Sequence, residues 1–346
     1  MTPPSPPDRP GTGTPERGAG PGRAVPSAWR PDLPAVLVAA GAFLVTLALL
    51  LPGPVHGRSA LVPDSGRLSW RLEADSARYL DTATWRTRED AELVRRIDAV
   101  GSPAAGSAGR AVWDVRTATT GPDGTLGHLA WRVAVDRSSG EAVRCCGAHV
   151  DGDHLARPHG LTLWWPPGAG AAERPLFDPE SRTSAPAVPD GADLVSGVPT
   201  ERYVQTVAAT RASEPARPVP ARLFDADARG TVGAERWLEV ERVYWVEPLT
   251  GRVVQLREQR RETLRPEEAG PDGETERVLL AADFQTPPEE AAANAAAADR
   301  RALLLRLTST DLPAALGGAG ALLVLVGVLR RAHRPDRRRS SAAGRV

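Results

Sequence analysis

The side chains with the most reactive chemistry fall in one short stretch of the 346-residue chain. Cys145 and Cys146 are its two cysteines, and His149, Asp151, Asp153, His154 and His159 follow closely. Imidazole and thiolate are ligands for borderline-soft metals such as zinc. The spacing matches neither a Cys-x-x-Cys pair nor His-Glu-x-x-His, so no metal is assigned. A polar loop of turn-forming residues is the plainer reading. Three states are open to the adjacent thiols: a bond to each other, two buried or free thiols, or a bridge to another molecule. A bond between neighbours would make a rigid turn, and a strained disulfide is more readily reduced.

Composition removes several other chemistries. All 43 basic residues are arginine, because the chain contains no lysine. That excludes a P-loop lysine, a Ser-x-x-Lys nucleophile and a Schiff base. No Gly-x-Ser-x-Gly elbow is present, and no pair of carboxylates is placed by motif for acid–base work. The expectation is a non-enzymatic protein with no cofactor, no metal and no nucleic-acid partner. Its nine tryptophans against three tyrosines and four phenylalanines are unusual. Trp164 and Trp165 precede two prolines, and Trp237 and Trp245 share one strand-like region with Tyr244. Aromatic side chains on a curved sheet can line an apolar cavity, so these four tryptophans are the candidate ligand contacts; core packing is the competing reading.

Two apolar runs position everything else. Residues 33–57 carry no charge, and residues 312–329 are apolar and glycine-rich, ending at Arg330 and Arg331. About 20 helical residues cross a hydrocarbon layer of ~30 Å, so both runs read as membrane spans. The first is longer than a signal peptide's apolar core and lacks a clean Ala-x-Ala site, which favours an uncleaved anchor. The whole chain is neutral, yet residues 1–32 are net +1, residues 330–346 net +6 and the stretch between net −7. The positive-inside rule therefore places both tails in the cytoplasm and the middle outside.

Between the spans the pattern is that of a mainly β, antiparallel domain, either a curved sheet or a sandwich. Residues 110–119 and 126–136 flank a Gly-Pro-Asp-Gly turn, and Trp131, Val133 and Val135 alternate with polar neighbours. Further strands are predicted near 88–99, 160–165, 192–196, 201–209, 235–247, 251–264 and 275–284. Arg257–Glu262 is charged on both faces and reads as a solvated ribbon. Val135–Val143 and Val246–Val254 echo each other, each with an acid, then a turn ending Ser/Thr-Gly, then a return strand. Two ordinary hairpins and an internal duplication both account for this. Thr286-Pro-Pro-Glu289 reads as a capping box opening an Ala-rich stalk helix that breaks near Pro313. The organisation expected is a disordered segment 1–32, a span 33–55, an extracytoplasmic β-domain 56–285, a stalk 286–311, a span 312–329 and a basic tail 330–346.

With these elements placed, Asp136, Arg137, Gly140, Ala142, Val143, Cys145, Cys146 and Gly147, followed by Tyr244–Gly251, carry a family resemblance. The chain resembles the porin-PorA-like family of actinobacterial envelope proteins, a domain of unknown function, over roughly residues 33–330. Leu161–Pro166 stands where that family has an aromatic segment with a lysine, and here the lysine is missing. The resemblance implies an N-terminal span, an outside β-domain, and a C-terminal span with a basic tail. It further implies membrane lipids as partners, with a β-domain that holds a lipid or glycolipid, or docks to a lipid-export membrane protein. A structural or signalling module without a ligand is the alternative, and an extracytoplasmic redox or metal enzyme a third. Two helices enclose no wide pore, and the strands lack the patterning of a membrane barrel.

Overall fold

The computed structural model describes residues 32–55, 61–168, 170–267 and 276–333. The segments 1–31 and 334–346, with the disorder and basic-tail expectations they carry, lie outside the described residues.

Helix α1 (Leu33–Leu50) opens on Pro34, whose missing N–H costs nothing in a first turn, and runs into a π-helical turn at Leu51–Val55. Thirteen strands follow in one antiparallel sheet. They are β1 (Arg67–Asp81), β2 (Arg86–Gly101), β3 (Arg110–Gly121), β4 (Gly124–Asp136), β5 (Ala142–Val143), β6 (His149–Val150) and β7 (Arg174–Asp178). The rest are β8 (Thr183–Val195), β9 (Val198–Arg211), β10 (Arg217–Pro220), β11 (Thr231–Glu247), β12 (Arg252–Pro266) and β13 (Arg277–Gln285). The strand order is β5-β4-β3-β2-β1-β13-β12-β11-β9-β8-β7, with β10 on β11 and β6 on β4. The sheet curls into a half-barrel. Its two edges are tied at one point, where Gly160 accepts the N–H of Ala142 and Leu161 exchanges backbone bonds of 2.8 and 2.9 Å with Pro175 and Phe177. The predicted strand at 160–165 is thus not a strand but a plug, held by single bridges to each edge.

Side-chain alternation sorts the interior into layers. One end is filled by Leu161, Trp165, Leu176, Tyr203, Val246 and Phe284, with a neighbouring cluster of Trp113, Trp131, Val133, Leu163, Trp164 and Phe177. Beyond it the interior turns ionic. Arg257–Glu262 is not a solvated ribbon. Within β12, Glu258, Arg260 and Glu262 point inward and are buried, while Arg257 and Arg261 pair outward with Asp283 and Glu276. Charges on both faces hide a period of two, and the inward charges also meet partners from other strands. The first strand, β1, is absent from the sequence expectations; its buried Trp70, Leu72 and Ala74 alternate with Arg71 and Glu73, and a register shift between Ala74 and Ala77 then breaks the period of two.

The stalk also differs from expectation. Helix α2 (Pro288–Arg306) starts without a side-chain cap; Thr286 instead exchanges bonds of 3.0 and 3.1 Å with the backbone of Leu256, prolonging the sheet. Ala291, Ala295 and Ala298 pack on Val195, Val198 and Val254 of the outer face. The helix does not break at Pro313. It continues through a π-helical turn at Leu307–Asp311 into α3 (Leu312–Ala332). A widened turn relieves the proline ring's clash with the preceding turn. The hydroxyls of Thr308, Ser309 and Thr310 donate to the carbonyls of Leu304 and Arg306 at 2.9–3.2 Å, back-bonding into the preceding turn.

Helices α1 and α3 pack antiparallel through glycine. A Cβ on Gly41 would lie 2.6 Å from the Gly320 carbonyl oxygen, and one on Gly320 would lie 2.7 Å from the Gly41 carbonyl oxygen. Gly327 meets Pro34 and Val38 in the same way. Close backbone approach of this kind is how apolar helices associate where water supplies no drive. Both helices are long and apolar enough to cross a bilayer. The outer face of the sheet instead carries ion pairs such as Arg78–Glu89, Arg202–Asp190 and Arg257–Asp283, not the apolar band of a membrane barrel.

Candidate functional site

The open end of the half-barrel holds a cavity of about 580 Å³. Its rim comes from the β1–β2 turn, the β3–β4 turn and the segment after β9, through Asp81, Asp123 and Glu214. Its wall carries Tyr79, Thr117, Thr119 and Arg182, and its floor is Arg95, Glu180, Arg236 and Glu262. The helices leave from the other end: Val62, just after α1, bonds Arg137 in the turn after β4, and α2 packs beside the β8–β9 turn. The mouth therefore faces away from the helix pair.

In and below the floor, four arginines interlock with four carboxylates. Arg260, fully buried, reaches Glu180 at 2.7 Å, Glu258 at 2.8 Å and Glu262 at 2.6 Å. Arg95 bridges Glu180 and Glu258 at 2.6 and 3.1 Å, and donates to Thr119. Arg236 holds Glu180 and Glu262, both at 2.7 Å. Arg242 holds Asp178 at 2.7 Å and Glu258 at 2.6 Å, and donates to the buried Gln205. Burial alone would push Glu180, Glu258 and Glu262 up. The facing guanidiniums outweigh it and hold all three below the usual carboxylate range. Burial likewise opposes the charge on Arg260, and its three carboxylates more than restore it. Groups this firmly ionised do not exchange protons near neutral pH; they fix geometry and present donors and acceptors.

The sequence-predicted residues lie elsewhere. Trp164 and Trp165 are buried side by side in the plug, Trp164 with its ring 5.5 Å from Trp113, and Trp165 with its ring 5.4 Å from Tyr203 and 5.0 Å from Tyr244. Trp237 lies under the Arg265 guanidinium, 4.3 Å from the ring centre. Trp245 packs against α2 and donates to Asp193 at 2.9 Å. The fold brings the first two together and separates them from the others, and none of the four lines the cavity. Cys145 and Cys146 are bonded to each other. The His149 and His154 rings stand 5.4 Å apart edge-to-face, His149 accepts the Gly152 N–H, and Asp153 pairs with Arg182. Among the described residues no group of three or more His, Cys, Asp or Glu is placed to hold a metal. Sequence reading missed the floor; its one signal was the Glu-x-Arg-x-Glu alternation at 258–262.

The two echoing turns use one device. Asp136 accepts the N–H groups of Ser138 and Ser139, and Glu247 those of Leu249 and Thr250. The glycines closing them, Gly140 and Gly251, have φ of 73° and 67°, and each lies beneath a plug carbonyl, of Trp164 and Trp165 respectively. A Cβ on Gly251 would come within 2.0 Å of the Trp165 oxygen.

Fold and site together define a membrane protein: a pair of apolar helices carrying a curled antiparallel β-domain with an ionic interior. The family model described as Porin PorA matches residues 33–329, and the chain belongs to that family. No curated protein matches the chain.

Proposed function

We propose that this is a non-enzymatic, two-pass envelope protein whose β-domain stands outside the membrane and holds the polar head of a lipid or glycolipid. Both tails lie in the cytoplasm on this reading, and the domain serves or docks to a lipid-export membrane protein. The observation that carries it is the cavity: about 580 Å³, polar, and lined by interleaved donors and acceptors. Arg95, Arg182 and Arg236 alternate there with Glu180, Glu262 and Thr hydroxyls, a set suited to hydroxylated or phosphorylated head groups rather than acyl chains. The four tryptophans then serve packing, and the ligand contacts move to the cavity wall.

The test is organic extraction of full-length protein from nanodiscs, with lipid identified by mass spectrometry. A near-stoichiometric amphiphile, lost when the cavity is filled by Thr117→Trp, is expected. Equal lipid content in Thr117→Trp and wild type would overturn the reading. One observation favours a second reading, an interaction module without ligand: every ion in the cavity floor is already paired within the protein. On that reading a copurifying protein is lost on Arg182→Glu while no amphiphile is found.

A further inference from the structure

Residues 144–155, between β5 and the cavity rim, form a hairpin-like loop with three features the cavity reading does not use. First, Cys145 and Cys146 are bonded to each other and both residues are half-exposed. Second, Cys146 has φ of 62°, in the left-handed region that a non-glycine residue adopts at a cost, and Gly147 follows at 74°. Third, the loop is part of the cavity wall. Val150 and Asp151 line the cavity, Asp151 exchanges backbone and carboxylate bonds with Ala130 of β4, and Asp153 pairs with the cavity residue Arg182. Asp151 is also left-handed, at φ of 48°. Two short β6 pairings to Trp131 and Arg132 are all that ladder this segment to the sheet.

We infer that Cys145–Cys146 is a thiol–disulfide exchange site for a dithiol reductant, and that its reduction loosens the loop that walls the cavity. One thiolate of the dithiol attacks one sulfur of the pair and forms a mixed disulfide, releasing the other cysteine as a thiolate. The second thiol of the reductant then displaces the first cysteine. The products are two cysteine thiols and an oxidised, disulfide-bonded reductant, and two electrons and two protons pass to the protein. With the ring open, Cys146 is free to leave the left-handed region, and the turn Cys145–Ala148, closed by the Ala148 N–H on the Cys145 oxygen at 3.1 Å, loses its constraint. The weakly laddered β6 and the Asp151–Ala130 bonds are next along the chain.

Full-length protein in nanodiscs is treated with dithiothreitol under native conditions and trapped with iodoacetamide. Two carbamidomethyl groups on the peptide spanning Cys145 and Cys146 are expected. Amide exchange over 148–155 should rise about tenfold, while β1 and β12 keep their protection. A Cys145→Ser, Cys146→Ser variant should show the same fast exchange with no reductant, which separates the effect of the bond from that of dithiothreitol. Alkylation only after unfolding would overturn the exchange site. Alkylation with unchanged exchange at 148–155 would overturn the coupling to the cavity wall. Neither readout depends on a cavity ligand, so the proposed function stands or falls separately.

Discussion

Replacing Arg260 with methionine removes the centre of the buried ionic cluster while keeping most of the side-chain volume. The wild-type cluster balances Arg95, Arg236, Arg242 and Arg260 against Asp178, Glu180, Glu258 and Glu262. Without Arg260, three carboxylates each lose a partner at 2.6–2.8 Å, and one uncompensated negative charge stays inside. Breaking a buried pair from one side costs about 3–5 kcal/mol, because the remaining charge stays desolvated. For a domain of this size each kcal/mol lowers Tm by about 2–4 °C, so a drop of roughly 6–20 °C is expected. The assay is thermal unfolding of the detergent-solubilised full-length protein, followed by near-UV circular dichroism of the packed tryptophans. Adding Glu262→Gln should recover about half of the loss, since three arginines then face three carboxylates. The same cluster sets the acid limit. Glu180, Glu258 and Glu262 lie below their ordinary value of 4.5 in the folded state, so their stabilisation is complete above that pH. It is lost as pH falls from 4.5 toward the folded values. An Arg260→Met protein within about 1 kcal/mol of wild type would refute this account of the interior.

Two further outcomes follow from close backbone contacts. Ala48→Cys with Gly317→Cys should cross-link under mild oxidation, since the Ala48 Cβ lies 3.7 Å from where a Gly317 Cβ would stand. Adding Gly41→Val should abolish that cross-link by splaying α1 from α3; an undiminished cross-link would contradict the glycine crossing. Gly251→Ala combines a positive φ with a Cβ 2.0 Å from the Trp165 oxygen, and should cost more than about 2 kcal/mol in urea unfolding. A change below about 0.5 kcal/mol would mean that the plug does not rest on this turn.

The readings that succeeded from sequence rest on local periodicity. The apolar stretches at 33–50 and 312–329 are continuous, so length alone identifies helices fit to cross a bilayer. Strands such as β3, β4 and β11 declare themselves through alternation, and turn residues such as Gly124 and Gly251 mark where they reverse. Asp136 and Glu247 were visible as equivalent, because a turn closes within five residues and its chemistry is local. Tertiary structure decided which faces turn inward. Arg95, Glu180, Arg236 and Arg260 come from β2, the segment after β7, β11 and β12, and only the curl of the sheet makes them neighbours. Charges on both faces of 257–262 carry no hydrophobic signal, so the pattern does not tell the solvated half from the buried half. The four tryptophans show the converse: their number suggests a cavity, but Trp164 and Trp165 are buried in the plug, Trp245 lies against α2 and Trp237 under Arg265, and the cavity forms where ionic side chains converge. Pairing of Gly41 with Gly320 is likewise non-local, because a glycine in an apolar run becomes a contact only when the partner backbone arrives.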